Sequence, residues 1–323
     1  MNQLACTVTL VCLLGAADAK AAPTTVIGRG DNSHSQLIPP PGLTNAVSVA
    51  AGSWHSLALK ADGTVVAWGG RDRWSQGGWR ASRNGTEVPQ GLSNVVAIAA
   101  GEDYSLALKA DGTVIAWGTH FYGQTNPPPG LTNIAAIAAG TWHCMALRAN
   151  GTVVAWGYNL SDSRAAVPKG ITNVVAIASG ASHNLILKAD GTLVGWGQAE
   201  WQAGAVPEGL RDLRAISAGY NLSLALKRDG TVVGWGFNLS GAATANPTTN
   251  QHPWTASGPV RIGGTILTDV TAVSAGKEYS LALKRDGTVV GWGKPPPLAG
   301  VTNVLAIAAG ENHSLFLVRG TSR

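Results

Sequence analysis

At 323 residues, with 45% apolar and 13% charged side chains, the chain lies far from the composition of a disordered polymer, and its 42 glycines recur between apolar runs, not in tracts. The formal net charge of +5 is spread along the sequence, which argues against the clustered basic face of a nucleic-acid-binding protein. Three cysteines, Cys6, Cys12 and Cys144, leave no room for a disulfide framework or thiolate metal site once the first two depart with a leader.

That leader is expected over residues 1–19. Leu4 to Ala17 is an uncharged apolar run, followed by the small-x-small pattern Ala17-Asp18-Ala19 of a secretory cleavage site. The reading implies an exported protein, periplasmic or extracellular, whose remaining residues 20–323 form one domain. No later apolar run reaches the length of a membrane span, so none is expected.

From residue 46 onward one unit returns. Its first copy is Ala46 to Gly69, and the glycine ending its first half recurs as Gly52, Gly101, Gly140, Gly180, Gly219, Gly276 and Gly310, at intervals of 49, 39, 40, 39, 57 and 34. A period near forty points to a propeller or solenoid. Six copies carry Asp-Gly-Thr or Asn-Gly-Thr between apolar runs, from Asp62-Gly63-Thr64 to Asp286-Gly287-Thr288. This is a hairpin signal, and read as a two-residue type I′ turn it pairs Leu59 with Val66 and Leu57 with Trp68. Leu57, Leu59, Val66 and Trp68 then form a bulky face, with Ala58 and Ala67 on a small one. The Val47 to Gly52 run, built of small residues, is assigned to the innermost strand. A fourth, outer strand is expected after each Trp-Gly, and segments such as Pro39 to Asn45, Pro127 to Asn133 and Pro295 to Asn303 lead into the next unit.

The last copy stops after Ser314 to Val318 without its third strand, and residues 24–32 match the missing half. A blade completed from both termini closes the ring and hides sheet edges. The expectation is an all-β, seven-bladed β-propeller closed by pairing its N-terminal strand with its C-terminal strands.

The motif Ala51-Gly52-x-x-His55-Ser56-Leu57-Ala58-Leu59 with Trp68-Gly69, repeated over roughly residues 24–320, resembles the repeat of the regulator of chromosome condensation family. The short blades and the exported reading are closest to a bacterial branch that includes a propeller-type β-lactamase inhibitory protein. The resemblance implies a binding scaffold without naming the partner. It includes a guanine-nucleotide exchange factor, a role that an exported chain without a basic tail does not suit.

Loops after the inner strand and after Trp-Gly open at one end of an antiparallel blade, and the Asp-Gly turns at the other. The first end collects Trp54, Arg73, Trp74, Trp79, Arg80, His120, Phe121, Tyr122, Trp142, Tyr158, Trp201, Tyr220 and Phe237, and these are the expected partner-binding residues. The second collects Lys60, Lys109, Arg148, Lys188, Lys227 and Lys284. The longest intervals mark the special loops 70–88 and 237–268.

His55, His143, His183 and His313 share a slot with Tyr104, Leu222 and Tyr279, which suits structural side chains and not a metal ring. Each His-Ser pair consists of strand neighbours on opposite faces, so no nucleophile–base pair forms within a strand. No catalytic residue, cofactor or metal is expected. The partner is expected to be another protein, with inhibition as one mode of action and the chain acting as a monomer. A glycan is the alternative, as for a lectin-like envelope-binding module, and a propeller hydrolase or lyase is a third reading.

Overall fold

A computed structural model describes residues 23–70, 85–158, 165–197, 202–248 and 255–320. They form seven antiparallel sheets, numbered here as blades, and a two-stranded hairpin of Arg261–Ile262 and Thr265–Ile266. Blade 1 is Ala46–Ala51, His55–Lys60 and Val65–Gly69; blade 2 is Val95–Ala100, Tyr104–Lys109 and Val114–Gly118; blade 3 is Ile134–Ala139, His143–Arg148 and Val153–Gly157. Blade 4 is Val174–Ser179, His183–Lys188 and Leu193–Gly197. Blade 5 is Leu213–Ala218, Leu222–Lys227, Val232–Phe237 and Thr255–Pro259, and blade 6 is Val270–Ala275, Tyr279–Lys284 and Val289–Gly293. Blade 7 joins Val304–Ala309 and His313–Arg319 to the N-terminal strand Thr24–Gly30, in a register running from Thr24 opposite Arg319 to Gly30 opposite His313.

The closed propeller read from the termini is therefore present. Val49, Ala58 and Trp68 of blade 1 pack against Leu315 and Leu317 of blade 7, as each blade packs on the one before it. Every inner strand carries a bulge near its start, shown in blade 1 by the shift between Ala46 opposite Lys60 and Ser48 opposite Leu59.

The turn chemistry differs from the expected type I′ form. Lys60 N–H donates to Thr64 O at 2.9 Å and Gly63 N–H to Lys60 O at 3.0 Å, so the loop holds three residues, and of Asp62 and Gly63 only the glycine takes a positive φ, 77°. Asp62 accepts from Thr64 N–H at 3.0 Å and from the Thr64 hydroxyl at 2.5 Å, which keeps the aspartate out of the left-handed region. The extra residue shifts the register by one. Leu57 stands opposite Ala67, Leu59 opposite Val65, Ala58 opposite Val66 and Ser56 opposite Trp68.

A one-residue slip exchanges the faces. The bulky-versus-small assignment is corrected: Trp68 lies with Ala58, while Leu57 and Leu59 lie with Val65 on the opposite face. Each joint thus fits the leucines of one blade against the alanine and tryptophan of the next, as Leu57 and Leu59 do with Ala107 and Trp117. Full burial of one such leucine stabilises by about 1.5–3 kcal/mol.

The return segment after each Trp-Gly explains why tryptophan and serine pair. In blade 1 both Ser56 Oγ and Trp68 Nε1 donate to Gln36 O, at 2.8 Å each; Ser105 with Trp117 on Gly85 O, and Ser223 with Trp235 on Ala203 O, repeat the arrangement. The described parts of these segments are wedged between blades, and the expected fourth strand is corrected for blades 2, 6 and 7, whose segments carry no strand; blade 5 has one, and the segments after blades 1, 3 and 4 lie partly outside the described residues.

At the axis the chain needs glycine. A Cβ on Gly140 would stand 2.5 Å from Gly180 O, one on Gly180 2.4 Å from Gly219 O, and one on Gly310 2.4 Å from Gly52 O across the closing joint. The glycine that recurs after Ala, or after Ser179, at the end of each inner strand thus meets a close-approach requirement.

Just outside this ring, buried polar side chains bridge successive blades. His55 Nε2 meets Ser105 Oγ at 2.9 Å, His143 Nε2 meets Asn184 Oδ1 at 2.8 Å, His183 Nε2 meets Ser223 Oγ at 2.9 Å, and His313 Nε2 meets Ser56 Oγ at 3.0 Å. Tyr104 and Tyr279 occupy the same slot and donate to His143 O and His313 O at 2.6 and 2.7 Å. Burial holds His55 and His183 down to about 3 and His313 to about 4. Leu222 fills the slot in blade 5 with carbon, and there the joint to blade 6 uses Tyr220 N–H to Gly276 O at 3.0 Å.

Candidate functional site

The loops after each inner strand and the residues after each Trp-Gly meet at one end of the propeller, the upper rim. Gly70 N–H donates to Trp54 O at 2.8 Å, Tyr158 N–H to Trp142 O at 2.9 Å, and Phe237 N–H to Asn221 O at 2.8 Å. The Asp-Gly turns form the lower rim.

On the upper rim three of the expected residues converge. Tyr122, from the return segment of blade 2, lies 5.3 Å from Trp142 and 4.9 Å from Tyr158, and the last two are 5.7 Å apart between ring centroids. The rings are tilted by 43–82° to one another, an edge-to-face arrangement that the quadrupoles of aromatic rings favour. Trp142 Nε1 donates to the Glu102 carboxylate, placing an acidic group at the margin of the cluster. His120 and Phe121 stack at 6.0 Å beside it, and Phe121 is 60% exposed.

The remaining expected residues are scattered. Trp54 is half-buried against His34, with ring centroids 5.0 Å apart. Tyr220 lies on the far side of the axis under Lys277 Nζ, 5.1 Å from its ring centroid. Phe237 is half-buried at the head of the third strand of blade 5, opposite Thr255. Arg73, Trp74, Trp79, Arg80 and Trp201 lie outside the described residues, as does most of loop 70–88. The described part of loop 237–268 is organised by Asn238, whose side chain bonds Ala243 N–H at 2.9 Å and Asn246 O at 2.6 Å, and it supplies the fourth strand of blade 5.

Three charged residues outside the expected partner-binding set border the axial mouth. Glu102, Lys277 and Glu311 each follow the glycine of the repeat and border the central depression. Lys277 Nζ bonds Glu311 Oε1 at 2.6 Å, and that bond raises the lysine above its ordinary range. Glu102 and Glu311 are the carboxylates that the hydrolase or lyase reading would need at this mouth, and Lys277 is marked only by its position after the repeated glycine.

Four of the six lower-rim cations are paired within their own turns. Lys60, Lys109, Lys188 and Lys227 sit 2.8, 3.2, 3.5 and 3.4 Å from Asp62, Asp111, Asp190 and Asp229 of their own turns. Thr113 N–H and Lys109 hold Asp111 down to about 2.

The buried His–Ser contacts are hydroxyl-to-imidazole pairs of a kind that catalysis uses, yet they lie between blades. Ser105 spends its hydroxyl proton on Gly85 O at 2.8 Å, and Ser223 spends its own on Ala203 O at 2.8 Å, so the histidine Nε2–H donates to the serine. A histidine in that tautomer cannot take the serine proton, and both groups are buried. Among the described residues no group of three or more His, Cys, Asp or Glu side chains could hold a metal ion, and no helix is long and apolar enough to cross a membrane.

The fold and repeat find counterparts among known proteins. The regulator of chromosome condensation (RCC1) repeat matches residues 46–72, 95–124, 134–161, 174–199, 213–242 and 270–295, more than half of the chain. A comparison with curated protein sequences gives no match. Among solved structures, Prp20p from Saccharomyces cerevisiae, described with its binding to Gsp1p and histones, is similar at 22% identity and a TM-score of 0.74, covering 93% of each chain. Human WBSCR16 is similar at 18% identity and a TM-score of 0.67, over 94% of this chain and 100% of that one. The ectodomain of the Physcomitrella patens receptor kinase CR4 is similar at 25% identity and a TM-score of 0.61, over 82% of this chain and 68% of that one. With six blades matching this repeat and a seventh closed through its own termini, the chain belongs to the regulator of chromosome condensation repeat family.

Proposed function

We propose that this propeller is an exported protein-binding scaffold that engages another protein through its upper rim. The observation that carries the reading is the cluster of Tyr122, Trp142 and Tyr158, gathered from two blades with Glu102 at its margin. Aromatic side chains on semi-rigid loops supply large contact area at low entropic cost, as protein-binding surfaces require. The yeast relative that binds Gsp1p and histones is consistent with a binding role for the scaffold. Export rests on the apolar run and cleavage pattern of residues 1–19.

The tilt of the three rings favours a protein over a glycan, because a sugar stacks on a flat, open ring face while these rings turn their edges to one another. The test compares proteins retained by the mature chain with those retained by a Tyr122→Ala/Trp142→Ala/Tyr158→Ala variant, alongside a glycan array. Loss of a specific protein from the variant supports the reading; a glycan hit with unchanged protein capture replaces it. Addition of the chain to a β-lactamase tests the inhibitory mode, and full enzyme activity at micromolar protein removes it.

A further inference from the structure

Blade 5 shows what the outer edge of a blade can accept. Its third strand, Val232–Phe237, is joined by the antiparallel strand Thr255–Pro259, with Gly234 opposite Gly258 and Gly236 opposite Ala256, and Val260 N–H donates to Val232 O at 2.9 Å. The residues added are small, Thr-Ala-Ser-Gly-Pro.

Blade 2 has the same edge without the strand. Lys109 N–H donates to Thr113 O at 2.9 Å, and the alternation of an antiparallel ladder then turns the main-chain groups of Val114 and Ala116 away from the blade. Among the described residues none bonds those groups. The edge leads at the upper rim to Phe121 and Tyr122, 60% and 42% exposed. Other edges differ. In blade 7 Arg29 Nη1 covers Gly28 O at 3.0 Å, and in blade 6 the edge leads to Lys294, paired with Glu278, and not to an exposed aromatic ring. The edges of blades 1, 3 and 4 lead into segments outside the described residues.

We propose that the Val114–Gly118 edge takes up an extended segment of the partner protein as a fourth antiparallel strand. The segment runs from the upper rim toward the lower one, begins with an apolar side chain against Phe121, and places a small residue opposite Ala116, as Gly258 stands opposite Gly234. Main-chain hydrogen bonds supply the affinity of such strand addition, and alternate side chains supply its specificity. The inference rests on the protein-binding reading of the upper rim and specifies how the partner is held.

The probe is a synthetic peptide of leucine followed by the Thr-Ala-Ser-Gly-Pro sequence of residues 255–259, titrated into the isotopically labelled protein. Binding is expected to shift the amide resonances of Val114 and Ala116 and to slow their hydrogen exchange. Ala116→Pro removes one outward N–H without touching the inner ladder, and weakens binding about tenfold, the equivalent of one hydrogen bond. Phe121→Ala, a surface change that leaves folding intact, also weakens it, while Ala155→Pro on blade 3 does not. Unchanged exchange at Val114 and Ala116 under saturating peptide, or equal weakening by Ala155→Pro, overturns the proposal. If a natural partner is lost with the Tyr122/Trp142/Tyr158 alanine variant but retained by Ala116→Pro, the edge is wrong and the rim reading stands.

Discussion

The lower rim presents nearly the same structure blade after blade: a lysine or arginine, a turn aspartate or asparagine bonded to the following threonine, and a left-handed glycine. The upper rim, built from the same repeat, keeps only its glycine and then diverges to Ser53-Trp54, Glu102-Asp103, Thr141-Trp142, Tyr220-Asn221 and Lys277-Glu278. Where neighbouring copies agree, the residues satisfy the backbone or fill a joint; where they differ, most of them, though not the buried Asp103, bring aromatic rings and charges to the surface. The repeat therefore encodes the scaffold, and its variable positions are where the proposed partner would be read.

That contrast can be broken from the interior outward. The largest effect is expected from acid. His55, His183 and His313 are held below their ordinary value by burial, so the unfolded chain takes up protons near pH 6.5 that the folded chain refuses until about pH 3–4. Stability is then full above pH 6.5 and falls as pH drops, by about 2 kcal/mol per histidine at pH 5. Urea midpoints between pH 7 and pH 5 measure it, and a flat profile would show that the histidines carry no interblade burden. Next comes Phe316→Ala in the closing blade. This ring is fully buried, and its loss is expected to cost about 3–5 kcal/mol in chemical denaturation.

Smaller is Tyr104→Phe. It deletes the hydroxyl that donates to Gly140 O at 3.0 Å and His143 O at 2.6 Å and leaves Gly140 O short of a donor, while His143 O keeps Gly140 N–H at 2.8 Å, for about 1–2 kcal/mol. The smallest is Asp62→Asn on the lower rim. Asn150 already accepts from Thr152 N–H and Oγ1 at 3.1 and 2.7 Å, as Asp62 does from Thr64, so the melting temperature is expected to stay within error. A clear loss would mean that the ion pair with Lys60, and not the turn, holds the lower rim.

The ring, its seven blades and the closing strand were legible because the repeated glycines, Asp-Gly turns and matching termini are local signals. The register within a blade was not. Asp-Gly suits both a two-residue and a three-residue loop, and the choice lies in whether Thr64 captures the Asp62 carboxylate, an interaction that the dipeptide does not reveal. From that one-residue difference follows the wrong face for Trp68, whose true place is set by a carbonyl 32 residues earlier, Gln36 O. The upper rim was legible as a list of aromatic residues and not as a cluster. Tyr122 and Trp142 meet because a return segment of one blade crosses to the loop of the next, and only the packed ring brings them together.

The most direct measurement sets the melting temperature of the Tyr122→Ala/Trp142→Ala/Tyr158→Ala variant beside its protein capture. The account predicts a propeller that still unfolds cooperatively, within a few degrees of the parent, and has lost the specific partner that the parent retains. A variant that keeps the same partner at the same affinity would contradict it.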